Sequence, residues 1–266
     1  MTSLAIIIVS YNARADLERC LDSLAAAPPA HSEVVVVDNA STDGSPDAVR
    51  RYPGVQLIQL ASNRGFAAAN NAGIRATQSE LVLLLNSDTI VASGAIDRLV
   101  SALLSHQDVG IAGPRLVDAE GRAELSFGSM IGPIVEWRRQ RLMRALARQE
   151  PGAVSIVSAL TRDKCDPDWV SGACLLVRRR DAEAAGLLDE RYFMYTEDVD
   201  FCASVRRLGR RVLFTPNAEV VHLRGRSAAS APASTRAAYR SSHLAFYQKH
   251  YPALAPFLRL YHAIRG

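Results

Sequence analysis

The chain has 266 residues, 48% hydrophobic and 22% charged, enough to bury a large core and too mixed for a disordered or fibrous protein. Its apolar runs, such as Leu4 to Val9 and Leu81 to Leu85, fall far short of the roughly 20 residues a membrane-spanning helix needs. The net charge is +4, yet seven positive charges and no acidic residue follow Glu219, so everything before them carries −3; this asymmetry points to an anionic partner.

The start of the chain has no basic region before Leu4, and Ser10-Tyr11-Asn12 ends the first apolar run early. No secretory leader is expected and a cytoplasmic location follows. The four cysteines, Cys20, Cys165, Cys174 and Cys202, form no C-x-x-C pair, which argues against a zinc site or a disulfide framework.

In chain order, Leu4 to Val9, Val34 to Val37, Val55 to Leu60 and Leu81 to Leu85 read as strands. They are continuous aliphatic runs, as in strands covered on both faces of a parallel sheet. Helical spacing fills the intervals at Ala13 to Ala27, Ser45 to Tyr52, Phe66 to Thr77 and Ser93 to Ser105. The alternation predicts an α/β protein with a Rossmann-like, mostly parallel sheet flanked by helices, whose ligand lies beyond the carboxyl ends of the strands.

Residues 116 to 168 read as an irregular excursion around a basic helical stretch, Ile134 to Arg148. Cys174 to Val177 reads as a strand, Asp198 to Leu208 as a helix, and Val212 to Thr215 and Glu219 to Leu223 as two short strands. From Ser234 the tail is helical, broken at Pro252 and Pro256. The expected organisation is a catalytic domain over 1–224, with a nucleotide-binding half (1–115) and an acceptor half (116–224), followed by a basic helical extension over 225–266.

Four segments follow the first four strands and converge on one rim: Ser10-Tyr11-Asn12, Asp38 to Gly44, Asn63 to Gly73, and Asn86-Ser87-Asp88. No G-x-G-x-x-G follows the first strand and no P-loop occurs anywhere, which sets hydride transfer and ATP hydrolysis aside.

The text of these segments, I-I-I-V-S-Y-N, V-V-V-V-D-N-A-S-T-D-G, N-R-G-F-A-A-A-N-N-A-G, L-L-N-S-D and, further on, Y-T-E-D-V-D-F-C, resembles glycosyltransferase family 2 over about residues 4 to 224, in particular a rhamnosyltransferase-like branch of cell-surface polysaccharide assembly. The resemblance implies the A-type glycosyltransferase fold and an inverting transfer from a UDP- or dTDP-sugar to a glycan or lipid-linked glycan.

The chemistry asks for residues of the same kinds. A departing diphosphate calls for a divalent cation, Mn²⁺ or Mg²⁺, held by one or two protein carboxylates together with the phosphates. Asp88 suits that role, although an Asx turn would also use it. The family's Asp-x-Asp carries Asn86 at its first position here. The resemblance implies His222 as a further ligand, where a lone His at a strand end is otherwise commonly structural.

Ser10, Tyr11, Asn12, Asp38, Asn39, Arg64, Asn86 and Ser87 are the candidate nucleotide-binding residues. Among them Asp38 would accept from a pyrimidine ring N–H, Tyr11 would stack on the base and Arg64 would pair with base or phosphate. An inverting transfer needs a base for the acceptor hydroxyl. The resemblance assigns it to Asp198 with Glu197 orienting the acceptor, whereas acidic residues at a helix start also suit the helix dipole. The resemblance places Trp169, Gly172 and Ala173 beneath the donor sugar and acceptor, where the Trp169 indole would stack on a sugar ring, although Trp169 also suits an ordinary core position.

Tyr239, Phe246, Tyr247, Tyr251, Phe257 and Tyr261, interleaved with positive charges, suggest a peripheral contact with the inner face of the membrane, or helical packing. Nucleic acid does not fit the acidic rim. The rival readings are a nucleotide-sugar-binding protein without turnover, which Asn86 would favour, and a sugar-nucleotide pyrophosphorylase, for which the glycine-rich cationic loop after the first strand is lacking.

Overall fold

A computed structural model of the chain describes residues 2–223 and 232–264. An eight-stranded sheet runs in the order β3-β2-β1-β4-β9-β6-β10-β5, comprising β1 (Leu4–Ser10), β2 (Ser32–Asp38), β3 (Val55–Gln59), β4 (Leu81–Asn86), β5 (Thr89–Val91), β6 (Val109–Val117), β9 (Cys174–Arg178) and β10 (Arg211–His222). A two-stranded ribbon joins β7 (Phe127–Gly128) to β8 (Trp169–Val170). The helices are α1 (Arg14–Ala26), α2 (Ser45–Val49), α3 (Phe66–Arg75), α4 (Ala95–Leu104), α5 (Pro133–Ala147), α6 (Pro151–Leu160), α7 (Arg179–Ala184), α8 (Glu197–Arg207), α9 (Pro232–His250) and α10 (Ala255–Ile264).

The aliphatic runs do what their continuity predicts. Every residue of β1 is buried, and β1 pairs in parallel with β2 on one side and β4 on the other. The strand order reverses between β1 and β4, so their carboxyl ends flank the crevice where ligands of such sheets sit. Beyond β4 the sheet is mixed: β9 runs antiparallel to β4 and β6, and β5 antiparallel to β10, while β6 and β10 are parallel.

Three features go beyond the expected elements. Strand β6 was hidden by Gly110, Gly113 and Pro114, which weaken a strand pattern. A Cβ on Gly110 would lie 2.8 Å from Val205 Cγ1, and one on Gly113 2.7 Å from Val170 Cβ, so the glycines let α8 and β8 press onto the sheet. The two short strands expected after Arg211 are one strand, β10, whose register jumps between Thr215 and Glu219. The jump inserts Pro216, Asn217 and Ala218, and Arg98 clamps it by donating to the Asn217 carbonyl at 2.7 Å. The excursion over 116–168 is largely ordered, since α5 and α6 both open on a proline at the first turn.

The C-terminal helices share the core rather than trailing from it. Phe246 and Tyr247 are buried in the cluster that holds Phe201 and Phe214. Lys249 Nζ donates to Asp189 and Asp200, each at 2.8 Å, and His250 pairs with Asp200 at 2.6 Å.

Candidate active site

The ends of β1 and β2 are tied together by their own loops. Asn12, in the left-handed region at φ 48°, accepts from the Thr42 N–H at 2.8 Å through its side chain, and its N–H donates to Ser41 Oγ at 2.9 Å. Asp38 Oδ2 accepts from the Ser41 N–H at 3.0 Å. Asn39 binds the next loop, donating to Asn63 Oδ1 and the Gly65 carbonyl and accepting from the Arg64 N–H at 2.8 Å. Asn39 therefore acts inside the protein as a brace, which shapes the crevice from beneath. Tyr11 stands 46% exposed beside it, free to offer a ring face. Arg64 is half-exposed and paired with Glu190 at 3.3 Å.

This rim carries acceptors without donors. Ser10 Oγ, Asp38 Oδ1 and Asn86 Oδ1, at the ends of β1, β2 and β4, are buried and find no partner among the described residues. An orphaned buried acceptor costs about 1–3 kcal/mol, so three at adjacent strand ends mark a place that a bound molecule completes.

Past β4, Ser87 is buried and Asp88 meets His222, whose Nε2 lies 3.3 Å from Asp88 Oδ1. The β10–β5 pairing that sets His222 opposite Thr89 produces this contact. The other ring nitrogen, Nδ1, lies 3.2 Å from Glu124 Oε2. Burial pulls the His222 pKa down, but bonds to Asp88 and Glu124 outweigh it and raise it to about 9. Burial likewise pushes Asp88 up, and the bonds from His222 and Asn86 bring it below the usual carboxylate range.

Glu124 was not foreseen in the sequence. It follows a turn that folds the chain back along the end of β6, where the Glu124 N–H donates to the Leu116 carbonyl at 2.9 Å. No motif surrounds it, and among Asp118, Glu120 and Arg122 nothing in the sequence marks Glu124 as the carboxylate that becomes buried, at 6% exposed.

On the acceptor side, Tyr195 and Thr196 both adopt left-handed backbone, φ 71° and 64°, just before α8 begins at Glu197. Such non-glycine strain gathers at functional sites. Asp198 is half-buried, with Oδ2 accepting from the Gly172 N–H at 2.9 Å and Oδ1 from the Val199 N–H at 2.8 Å. Burial raises its pKa, opposed by those two N–H groups and by the charge of Arg139. Glu197 is 6% exposed, and its Oε2 has no partner among the described residues. Burial and the neighbouring Asp198 charge drive it well above the ordinary carboxylate range.

The segment Ser171-Gly172-Ala173 joins the two sides. The Ala173 carbonyl accepts from the Asn86 N–H at 2.9 Å, one residue after Gly172, whose N–H turns to Asp198. A Cβ on Gly172 would sit 3.3 Å from Asp198 Cβ and 3.5 Å from the Phe66 ring, so this glycine lets the carboxylate come close. Ala173 is buried. Trp169 is 6% exposed, donates to the Ser129 carbonyl at 2.9 Å and lies under the Arg139 guanidinium at 4.6 Å. Its indole supports this floor from within and offers no free face for stacking on a sugar.

A divalent cation is compatible with the Asp88 corner. The donors are a carboxylate oxygen, the partnerless Asn86 amide oxygen and, once it gives up its proton to the incoming cation, a His222 ring nitrogen, with Glu124 engaging the imidazole from behind, as carboxylates commonly do behind metal-bound histidines. Among the described residues no group of three or more His, Cys, Asp or Glu side chains could hold a metal alone. A cation here would share its shell with the diphosphate.

Comparison with known proteins agrees with this fold. The family model for glycosyl transferase family 2 matches residues 5–166. The chain is 33% identical, over 90% of its length and 82% of the relative's, to an N-acetylglucosaminyl-diphospho-decaprenol L-rhamnosyltransferase of Mycobacterium tuberculosis. It is 26% identical over 82% of its length, and 68% of the relative's, to the dTDP-rhamnosyl transferase RfbF of Shigella flexneri. Among solved structures, the mannosyltransferase PcManGT of Pyrobaculum calidifontis, in complex with GDP-Man and Mn²⁺, superposes with a TM-score of 0.65 at 21% identity, covering 97% of this chain and 68% of that one. The A-type fold, the strand-end site and the matched family together make this chain a member of glycosyl transferase family 2, a glycosyltransferase of the kind found in cell-surface polysaccharide synthesis.

Proposed function

We propose that the chain is an inverting, divalent-cation-dependent transferase that moves rhamnose or another hexose from a dTDP- or UDP-sugar to a hydroxyl of a lipid-linked glycan. The observation that carries this reading is the Ser171–Ala173 bridge, which seats the end of β4 and the Asp198 carboxylate on consecutive residues. A donor held at the β4 end and an acceptor hydroxyl at Asp198 would then meet across Gly172.

The roles of the residues follow. Asp38, with one unpartnered oxygen, accepts from the pyrimidine ring N–H, and Tyr11 covers the base. Asp88 and His222, with Glu124 behind, would hold the cation, which when bound neutralises charge on the departing diphosphate. Asp198 takes the acceptor proton as the hydroxyl oxygen forms its bond to the anomeric carbon and the bond to the diphosphate breaks. Its raised pKa makes it a stronger base than an ordinary carboxylate. Glu197, which burial and the Asp198 charge drive well above the ordinary carboxylate range, is suited to keep a proton for an acceptor oxygen.

The donor and acceptor classes are supported by the relatives, which are named for dTDP-rhamnosyl transfer and for a diphospho-decaprenol acceptor. The test is incubation with dTDP-rhamnose, or a panel of UDP-sugars, plus Mn²⁺ and a polyprenyl-diphosphate N-acetylglucosamine. Product with inverted anomeric configuration is expected; retention of configuration, or undiminished transfer in chelator, would refute the reading.

A further inference from the structure

The membrane contact expected of the tail keeps Phe257 and Tyr261 of the aromatics its sequence suggested and loses others. Phe246 and Tyr247 are core residues, so they are not available to lipid. In their place α10 displays an apolar stripe at i, i+3, i+4 and i+7: Phe257, Leu260, Tyr261 and Ile264 are 71%, 61%, 46% and 76% exposed. Helix α10 is thus amphipathic with its apolar face outward, the opposite of what packing alone produces. Helix α5 has no fully buried residue: Leu142, Met143 and Leu146 are partly buried against the core, whereas Ile134 and Trp137 are 68% and 61% exposed. The two helices meet through α9. His243 pairs with Glu136 of α5 at 2.8 Å and with His262 of α10 at 3.4 Å.

Charge selects the occupant. Arg138, Arg141 and Arg144 lie exposed on α5 and Arg259 on α10, while the acidic Glu136 turns inward to His243 and Tyr247. A second copy would set this positive surface against itself. An anionic bilayer would neutralise it while taking up the apolar stripe, the combination by which interfacial helices bind. We propose that the outer faces of α5 and α10 form a lipid-docking surface that seats the enzyme on an anionic membrane.

The surface borders the acceptor side. Arg139, next to Arg138, covers Trp169 and sends its charge to Asp198, and Tyr239 of α9 meets Tyr195 edge-on with ring centroids 5.9 Å apart. Docking here would present Asp198 towards sugars carried by a lipid; this consequence, unlike the docking itself, rests on the lipid-linked acceptor reading.

The test is flotation of the full chain with phosphatidylglycerol-containing vesicles against pure phosphatidylcholine vesicles, at low and high salt. Binding to the anionic vesicles is expected, weakened by salt and reduced by about tenfold or more in a Phe257→Ser, Leu260→Ser, Ile264→Ser triple variant. An Arg138→Glu, Arg141→Glu variant should lose the anionic preference on its own and serves as a second probe if the triple variant misfolds. Donor hydrolysis and thermal melting should be unchanged in both. Unaltered flotation of folded variants overturns the proposal, as does a dimer that dissolves in the triple variant without any vesicle binding by the native chain. Flotation as expected, with no transfer to a lipid diphosphate acceptor, upholds the docking surface and sinks the acceptor reading instead.

Discussion

The two sides of the crevice are built on different principles. On the donor side, parallel strands end together and their loops bond one another through Asn12 and Asn39. What remains is a rigid rim of acceptors waiting for donors. The acceptor side has few such ties: Asp198, the proposed base, follows closely on two left-handed residues, burial raises the pKa of both its carboxylates, and no residue of its flanking helix α5 is fully buried. A nucleotide is common to many transferases and can be met by a fixed frame. An acceptor differs from one enzyme to the next, so variation belongs on the side with fewer internal bonds.

Three substitutions test this contrast. The largest effect is expected for Asp198→Asn, which should lower turnover by about a thousandfold and leave nucleotide affinity unchanged by calorimetry. In the native chain the acid limb of kcat/KM should lie above the ordinary carboxylate range, because burial raises Asp198; activity should climb as pH rises through it. Weakened nucleotide binding in Asp198→Asn would mean that the two sides are not separable.

Glu124→Gln should weaken Mn²⁺ binding to the nucleotide complex by about tenfold, read by electron paramagnetic resonance, and should lower the His222 pKa in the metal-free chain, since one of the two carboxylates that raise it is gone. Unaltered Mn²⁺ affinity would show that the carboxylate behind His222 does not hold the ring for a cation.

The smallest effect belongs to Glu197→Gln. The pKa of Glu197 is raised in the folded state, so the native chain binds this proton more tightly than the unfolded one. That contribution is complete below the unfolded value and is lost as pH rises through the folded value. Glutamine escapes the loss, and the variant should be more stable by on the order of 1 kcal/mol at neutral pH, with the gain shrinking on acidification. Equal melting temperatures at both pH values would show that Glu197 is charged in place.

The donor side was legible because its strands are covered on both faces. Leu4 to Ser10 and Leu81 to Asn86 announce themselves as unbroken aliphatic text, and their end residues follow by topology. Asp88 and Asp198 drew notice in the sequence because they stand at element ends inside dense local motifs. Strand β6 escaped because its glycines answer to α8 and β8, which are distant in sequence. Glu124 escaped because its role is defined by a histidine 98 residues away. Trp169 was assigned a surface it does not have, since Arg139, which covers it, lies on a helix whose docking no local pattern records. The aromatics at Phe246 and Tyr247 and the exposed stripe from Phe257 read alike in sequence; packing alone separates them. Arg224 and Arg226, counted in the basic tail, lie outside the described residues.

The jump in β10 makes the position of His222 a matter of parity. Side chains alternate along a strand, so any odd change in residue count turns the following ones to the opposite face. Three residues enter between Thr215 and Glu219, after which Val220 is buried and His222 reaches Asp88. This stretch should therefore tolerate changes of residue, as at exposed Asn217, far better than changes of length. Deleting a single residue there would threaten the cation corner without touching any group in it. A chemical site is in this sense written partly as arithmetic, kept by a segment that never meets the substrate.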